Sequence, residues 1–269
     1  MPELPEVETV KETLKRQVLN KTIKDVIINY DKIIENVKPE EFKKLVQNQT
    51  IIDIKRKGKW LLFELNDYYL LSHLRMEGKY YIKNEKDEVT RHQHVIFTFE
   101  DGKQLRYNDT RKFGRMYLLD KKDAFDNKPL NELGYEPFDL NVDYLKDKFK
   151  NKKLPIKTVL LDQTIIAGIG NIYDDEILFL SKINPYKKAN ELTDKDLENI
   201  ITYSKITLEK AIKLGGTTIK SYTSSEGVHG RFQNELLVHT KSNCPLCGSI
   251  LAKEKIGGRT TYYCKNCQK

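Results

Sequence analysis

Apolar positions in the first half of the chain follow two periods. Over residues 5–18, Val7, Val10, Leu14 and Val18 recur at spacings of 3, 4 and 4, which predicts a helix with one buried face. After it the period shortens. Runs rich in β-branched and aromatic residues at 22–30, 50–55, 60–65, 68–74, 80–83, 95–99, 104–107 and 116–119 predict short strands. Asn66-Asp67 and Asp101-Gly102 supply turns between them, and such punctuation predicts an antiparallel sandwich or barrel. Residues 120–137, with Lys121, Lys122, Asn127, Pro129, Gly134 and Pro137, read as a connection. Beyond it a helical period returns at 154–161, 171–180 and 193–214, the last opened by a cap at Thr193 or Asp194. A compact tail carrying every cysteine closes the chain, and no internal repeat or low-complexity segment is present.

These patterns describe an α+β chain of two domains: an N-terminal antiparallel β-sandwich flanked by helices, then a helical domain ending in a small β-hairpin module. The expected segments are 1–120 for the first domain, 121–137 for the linker, 138–230 for the helices and 231–269 for the tail. A length of 269 residues suits more than one core. No stretch of 18 apolar residues exists, so no membrane helix is expected. The opening MPELPEVETV is acidic where a signal peptide is basic, which predicts a cytoplasmic protein. The net charge of +8 is unevenly spread. Residues 1–150 hold 29 basic and 27 acidic side chains, whereas residues 151–269 hold 18 and 12. A basic second half suits a polyanionic partner, and equally a solvated surface in a lysine-rich chain.

The four cysteines form two CxxC pairs, Cys244/Cys247 and Cys264/Cys267, separated by 16 residues. That is the two-knuckle spacing of a tetrahedral zinc site, each knuckle offering two thiolates. Redox disulfides are the rival, disfavoured in a cytosolic chain with no other cysteine. Four thiolates leave no open position, so one structural zinc ion is expected. Between the knuckles, residues 259–263 alternate as a hairpin strand behind Gly257-Gly258. The hairpin is either a stability device or a mount that holds Arg259 against a polyanion.

At the other end, Met1 precedes Pro2, a small residue after which the initiator is commonly removed. A freed Pro2 is a secondary amine that can attack an electrophilic sugar carbon. The resulting iminium is an electron sink that favours β-elimination of a neighbouring phosphate. Glu3 and Glu6, three apart at a helix start, can face one site and act as general acid or base. The structural alternative is that Pro2 and Pro5 merely pre-set the helix entry while the acids complement its dipole.

Residues 2–9, Pro-Glu-Leu-Pro-Glu-Val-Glu-Thr, together with the cysteine tail, resemble the formamidopyrimidine-DNA glycosylase family. So, in order, do His73-Leu-Arg-Met-Glu-Gly, Asp109-Thr-Arg-Lys-Phe-Gly, Gly168-Ile-Gly-Asn-Ile-Tyr and Gly215-Gly-Thr-Thr. The resemblance implies a helix–two-turns–helix element, a zinc-finger hairpin and a bifunctional enzyme acting on damaged double-stranded DNA. Such an enzyme excises oxidised purines (8-oxoguanine and formamidopyrimidines), then nicks the strand by β- and δ-elimination. It implies Pro2 as Schiff-base nucleophile, Glu3 as proton donor and Glu6 as supporting carboxylate. Lys59 is implied as proton donor in β-elimination and Arg259 in δ-elimination. Extruding a nucleotide costs a few kcal/mol, and Met76, Arg111 and Phe113 resemble the wedge that fills the void. Asn171, at a helix start, suits a phosphate. His92, Lys152 and Lys157 match positions of DNA contact, and residues 220–228 match a loop that closes over the flipped base. A monomer with no membrane association, working on the nucleoid, is implied.

The chain departs from the family pattern in three places. Gln93 stands where Asp is usual in His92-Gln-His94. Asp174-Asp175-Glu176 replaces Ala-Asp-Glu, which puts extra negative charge near the expected phosphate site. His239-Thr-Lys-Ser-Asn lacks a usual Gly before the first knuckle. Three alternatives stay open: an endonuclease VIII-like enzyme for oxidised pyrimidines, a non-catalytic lesion-binding zinc protein, and a zinc-ribbon RNA-binding protein. Leu4 and the Arg111/Phe113 pair favour the purine enzyme over the first. The last leaves the N-terminal motif unexplained.

Overall fold

The computed structural model describes residues 1–217 and 230–269. The loop expected at 220–228 lies outside the described residues. The chain divides into two units, one of residues 1–131 and 217–230, the other of 132–216 and 231–269.

The first unit opens with α1 (Leu4–Val18), which buries Leu4, Val7, Val10, Leu14 and Val18. Three valines and two threonines make it a modest helix former, so the buried face rather than propensity holds it. Each of these apolar side chains contributes roughly 1.5–3 kcal/mol by leaving water. Eight strands follow, β1 (Ile23–Ile28), β2 (Asp53–Lys57), β3 (Trp60–Glu64), β4 (Tyr68–His73), β5 (Lys79–Asn84), β6 (Gln93–Phe99), β7 (Lys103–Asn108) and β8 (Arg115–Asp120). They form two antiparallel four-stranded sheets, ordered β1-β6-β7-β5 and β2-β3-β4-β8. One apolar cluster unites Ile54, Leu61 and Phe63 of one sheet with Val26, Phe97 and Leu105 of the other and Val10 of α1. The architecture is therefore a sandwich, and α1 packs on β2 and β3.

Two expectations shift. The apolar run 50–55 suggests a strand there, but the paired residues are Asp53–Lys57, whose basic end continues the ladder to Lys57↔Trp60. β2 is an edge strand, where charged side chains are at home. The helix α2 (Pro39–Val46) has no counterpart in the sequence pattern. It buries only Phe42 and Val46, one i,i+4 pair, which sets up no visible period.

The second unit holds α3 (Val142–Phe149), α4 (Ile156–Leu160), α5 (Asn171–Leu180), α6 (Asp194–Lys213) and the hairpin β9 (Ala252–Ile256)–β10 (Arg259–Tyr263). α3 is likewise absent from the pattern, again with a single buried pair, Leu145 and Phe149, and an Asn141 cap. α6 starts as expected: Thr193 Oγ1 accepts the Asp196 N–H at 3.2 Å and Asp196 Oδ2 accepts the Thr193 N–H at 2.9 Å. α5 is buried nearly all round and packs on both α6 and β10. Its Glu176 accepts three backbone N–H groups, from Leu237, Val238 and His239, and so pins the chain as it enters the tail. Among the described residues, no helix is long and apolar enough to cross a membrane.

Candidate functional site

In the first unit, Pro2, Glu3 and Glu6 are all buried, and Glu3 is the N-cap of α1. Glu6 Oε2 accepts the Glu3 N–H at 2.8 Å. Its Oε1 accepts from Thr217, the N–H at 2.8 Å and the hydroxyl at 3.1 Å. With Met1 attached, the Pro2 nitrogen is a tertiary amide and has no nucleophilic lone pair. Pro5 lies in the first turn of α1, so it does pre-set the helix entry. Pro2 stands ahead of the helix and leaves that task to Pro5.

Lys59 sits in the turn between β2 and β3. Lys57↔Trp60 is the last pair, so Gly58 and Lys59 form a two-residue turn with Gly58 at φ +59°. Arg56 ties this turn to α1, donating from Nε to Glu8 Oε2 at 2.8 Å and from Nη1 to the Gly58 carbonyl at 3.0 Å. Burial alone would raise the Glu8 carboxyl, but hydrogen bonds from Lys11 and Arg56 outweigh it and hold the group below its ordinary value. The helix that follows Pro2 and the turn bearing Lys59 are thus cross-linked by a charged pair. Lys59 itself is buried.

His73 faces the same corner. It pairs with Trp60 across the sheet, the rings edge to face at 4.8 Å, and its Nδ1 accepts the Arg75 N–H at 3.0 Å. Burial, then the charges of Arg75 and Lys59, push its pKa down to about 3. The neutral ring shapes the turn that follows, where Arg75 takes φ +54° and the Gly78 N–H donates to the Leu74 carbonyl. Met76 projects from this turn, partly exposed.

Arg111 and Phe113 project from the loop after β7. Asp109, wholly buried, organises it: Oδ1 accepts the Arg111 N–H at 2.9 Å, and Oδ2 accepts those of Phe113 and Gly114 at 2.9 and 2.8 Å. Lys112 takes φ +58° between them. The guanidinium of the exposed Arg111 lies 4.7 Å from the Phe113 ring centroid, and Phe113 is 45% exposed. The buried carboxylate thus holds this ring outward at the surface with the guanidinium against it. His92, partly exposed, is at the root of the same loop, its carbonyl accepting the Asp109 N–H. Asp109 appears in the sequence reading only as a motif letter.

In the second unit, Arg259 is exposed at the start of β10, behind a Gly257-Gly258 turn with both φ values positive. A Cβ at Gly257 would fall 2.4 Å from Thr158 Oγ1, so glycine lets the hairpin tip approach α4. Asn171 holds the tip to α5, its Nδ2 donating to the Thr260 carbonyl at 2.8 Å. Thr158 Oγ1 and Asn171 Oδ1 are buried here with no partner among the described residues. Lys152 is partly exposed before α4.

Lys157 requires a correction. The resemblance implied contact with DNA, but its side chain is 0% exposed, with Nζ 2.6 Å from Asp175 Oδ1 and 3.3 Å from Asp174 Oδ2. Burial would lower its pKa, yet the two carboxylates outweigh that and raise it, so the ammonium stays charged inside the unit. A phosphate cannot reach it without breaking that network. Lys157 instead fastens α4 to α5. Asp175 extends the network, its Oδ2 lying 2.6 Å from His239 Nδ1 and accepting the Tyr262 N–H at 3.3 Å.

The four cysteine sulfurs lie within 4.8 Å of one another, with Cys244–Cys267 at 3.8 Å and Cys247–Cys264 at 3.6 Å. Four sulfurs about 2.3 Å from one tetrahedral ion would stand about 3.8 Å apart, whereas a disulfide needs about 2.05 Å. The donor set fits zinc.

Three family models cover the chain. The formamidopyrimidine-DNA glycosylase N-terminal domain matches residues 1–116, the formamidopyrimidine-DNA glycosylase H2TH domain 133–223, and a zinc finger found in FPG and IleRS 242–269. A formamidopyrimidine-DNA glycosylase of Oceanobacillus iheyensis is 49% identical over 100% of this chain and 98% of its own. That of Bacillus anthracis is 46% identical over 100% and 99%. The chain belongs to the formamidopyrimidine-DNA glycosylase family. Among solved structures, a Lactococcus lactis FPG mutant in complex with Fapy-dG DNA has a TM-score of 0.93 at 37% identity, covering 100% of both chains. The Lactococcus lactis Fpg complex with abasic-site DNA has a TM-score of 0.92 at 37% identity, covering 99% of both. The tail is accordingly the zinc finger of this family, with one structural ion.

Within the formamidopyrimidine-DNA glycosylase frame, the three departures find physical explanations. Asp174 is fully buried against Lys157, so its extra charge does not face a partner as the sequence suggested. Gln93 Oε1 accepts from Nη1 of the wholly buried Arg106 at 3.0 Å, and the carbonyls of Asn84, Asp87 and Glu88 with Gln104 Oε1 take the other donors. Neutral dipoles thus replace the carboxylate that the usual Asp would offer. Thr240 occupies φ +64°, the left-handed region where a glycine rests without strain and a β-branched residue does not. Thr240→Gly is expected to stabilise the protein by about 1 kcal/mol despite the added freedom of the unfolded chain. Thermal unfolding of the two proteins checks this, and a lower midpoint for the glycine variant would contradict it.

Proposed function

We propose that the chain is a DNA-repair glycosylase and abasic-site lyase that excises oxidised purines, 8-oxoguanine and formamidopyrimidines, from double-stranded DNA. The supporting observation is the N-terminal constellation: Pro2 just ahead of a helix whose Glu6 carboxylate clamps the next peptide, in a chain matching this family end to end. Removing Met1 turns the Pro2 amide into a free secondary amine. Its lone pair attacks C1′ of the extruded nucleotide as the bond to the base breaks, and Glu3 protonates the ring oxygen as the deoxyribose opens. The resulting iminium acidifies C2′. Loss of that proton expels the 3′ phosphate, with Lys59 as proton donor, and a second elimination served by Arg259 expels the 5′ phosphate. Met76, Arg111 and Phe113 fill the space left by the flipped nucleotide. His92, Lys152 and Asn171 bind the backbone, and Lys157 holds the helix that carries Asn171.

The division of labour we propose is 1–120 for chemistry, 121–137 as linker, 138–230 for duplex binding and 231–269 for the zinc module. The protein works as a monomer on the nucleoid in the cytoplasm. Borohydride trapping on duplex DNA with an abasic site, followed by intact-mass and peptide mapping, tests the reading. One covalent adduct at Pro2 of the Met1-free protein is expected. An adduct elsewhere, or none, would overturn the mechanism; activity confined to oxidised pyrimidines would favour the endonuclease VIII-like alternative.

A further inference from the structure

From the hydrogen bonds around Glu6 we infer that Thr217 is a positioning residue for the nucleophile, acting through Glu6 on the peptide that follows Pro2. This rests on the proposed Schiff-base chemistry and deepens it.

Thr217 and Glu6 are 211 residues apart, and both are buried, at 4% and 2% exposure. Two donors of Thr217, the N–H at 2.8 Å and the hydroxyl at 3.1 Å, converge on Glu6 Oε1. The other oxygen, Oε2, accepts the Glu3 N–H at 2.8 Å. That N–H belongs to the peptide whose carbonyl is contributed by Pro2. The carboxylate therefore links Thr217 to the plane on which the Pro2 ring is mounted. A terminal carboxylate torsion is soft, with no staggered well to hold it. Two donors at Oε1 and one at Oε2 fix the plane of the Glu6 carboxylate, and with it the peptide plane from which the Pro2 ring projects. A nucleophile must meet its carbon within a narrow cone, and small misplacements are costly. The capping geometry of α1 would be served by the Glu6–Glu3 bond alone, so the convergence of two Thr217 donors exceeds what helix entry requires.

Thr217→Val keeps the shape and the N–H but removes the hydroxyl. Thr217→Ser keeps the hydroxyl. The experiment measures single-turnover borohydride trapping on abasic-site DNA, the dissociation constant for a reduced abasic analogue, and thermal unfolding of each protein. The valine variant should be trapped about tenfold more slowly, the size of one hydrogen bond to a charged group. Its DNA affinity should stay within about twofold of the parent, and the serine variant should recover most of the rate. Parental trapping by the valine variant would overturn the inference. So would a loss of rate matched by an equal loss of affinity, or a serine variant as slow as valine, since each marks a packing role. If the Met1-free parent itself is not trapped, the Schiff-base reading falls along with this one. If the parent is trapped normally and only the variant pattern fails, that reading stands and Thr217 alone is excluded. Should the valine variant unfold below assay temperature, the serine variant decides: a parental rate and affinity support the hydroxyl, and a selective loss of rate overturns it.

Discussion

Stripping the zinc ion is expected to weaken binding to abasic-site DNA by about 100-fold or more while leaving the N-terminal sheets folded. The tail has little apolar core of its own. Its apolar cluster comprises Phe179, Val238, Cys244, Leu251 and Cys264, so two of its five buried members are themselves metal ligands. A core that small cannot offset the entropy of ordering the segment. A structural zinc site of this type contributes on the order of 10 kcal/mol to folding. Without it the hairpin is tied to α5 chiefly by the Asn171–Thr260 bond and the Asp175–Tyr262 bond. Arg259, the proposed phosphate contact, then loses its fixed place at the hairpin tip, and one well-placed charged contact is worth about 2–3 kcal/mol, or roughly 100-fold. The sandwich shares no member of that cluster, so its circular dichroism should persist. Fluorescence anisotropy on a chelated sample, with metal content measured in parallel, gives the test, and Cys264→Ser should behave alike. Parental affinity in protein shown to be metal-free would mean that the ion does not position the hairpin.

What the sequence revealed and what it hid follow from range. α1 and the strands of the sandwich announce themselves because each repeats its period several times against one core. α2 and α3 do not, since Phe42/Val46 and Leu145/Phe149 are each a single repeat. The cysteine knuckles and the Gly-Gly turn of the hairpin are local chemistry and are legible at once. The supports of the site are not local. Arg56 meets Glu8 across 48 residues, Asp175 meets His239 across 64, and Glu6 meets Thr217 across 211. No spacing rule reaches so far. Lys157 shows the converse error: a lysine at a family position reads as a DNA contact until its burial between two aspartates is seen. Asp174 reads as a liability for the same reason, because only the fold pairs the two.

Lowering the pH from about 6.5 is expected to destabilise the protein steeply through a single buried ring, His73. Its pKa is pushed from 6.5 to about 3, with burial the main cause and the charges of Arg75 and Lys59 adding to it. The sign follows from proton counts. Between those two values the unfolded chain binds a proton at this ring and the folded chain does not, so stability falls as pH drops and the loss levels off below about 3. At about 1.4 kcal/mol per unit, the full effect is on the order of 5 kcal/mol. The carboxylates held low by ion pairs, Glu8 and Glu64, also lose their stabilising contribution in acid, but only as pH falls below about 4.5, with Glu64 reaching down to about 2. The window from 6.5 to 4.5 therefore contains the His73 step without theirs. Glu176, raised by burial, acts with the opposite sign in the same window, so the ring is isolated by difference: the urea-unfolding stability of the parent minus that of His73→Gln should change with a slope close to one proton. Trp60, the only tryptophan of the chain, stacks edge-on 4.8 Å from the ring and reports the transition by fluorescence. Protonation also takes away the Nδ1 lone pair that accepts the Arg75 N–H, so the turn bearing Met76 should loosen before the sheet does. Excision from duplex DNA should then decline in acid sooner than cleavage at a preformed abasic site, where no base has to be unpaired and unstacked. Parallel stability curves for parent and variant from pH 6.5 to 4.5 would show that the ring is already protonated, or solvated, in the folded protein.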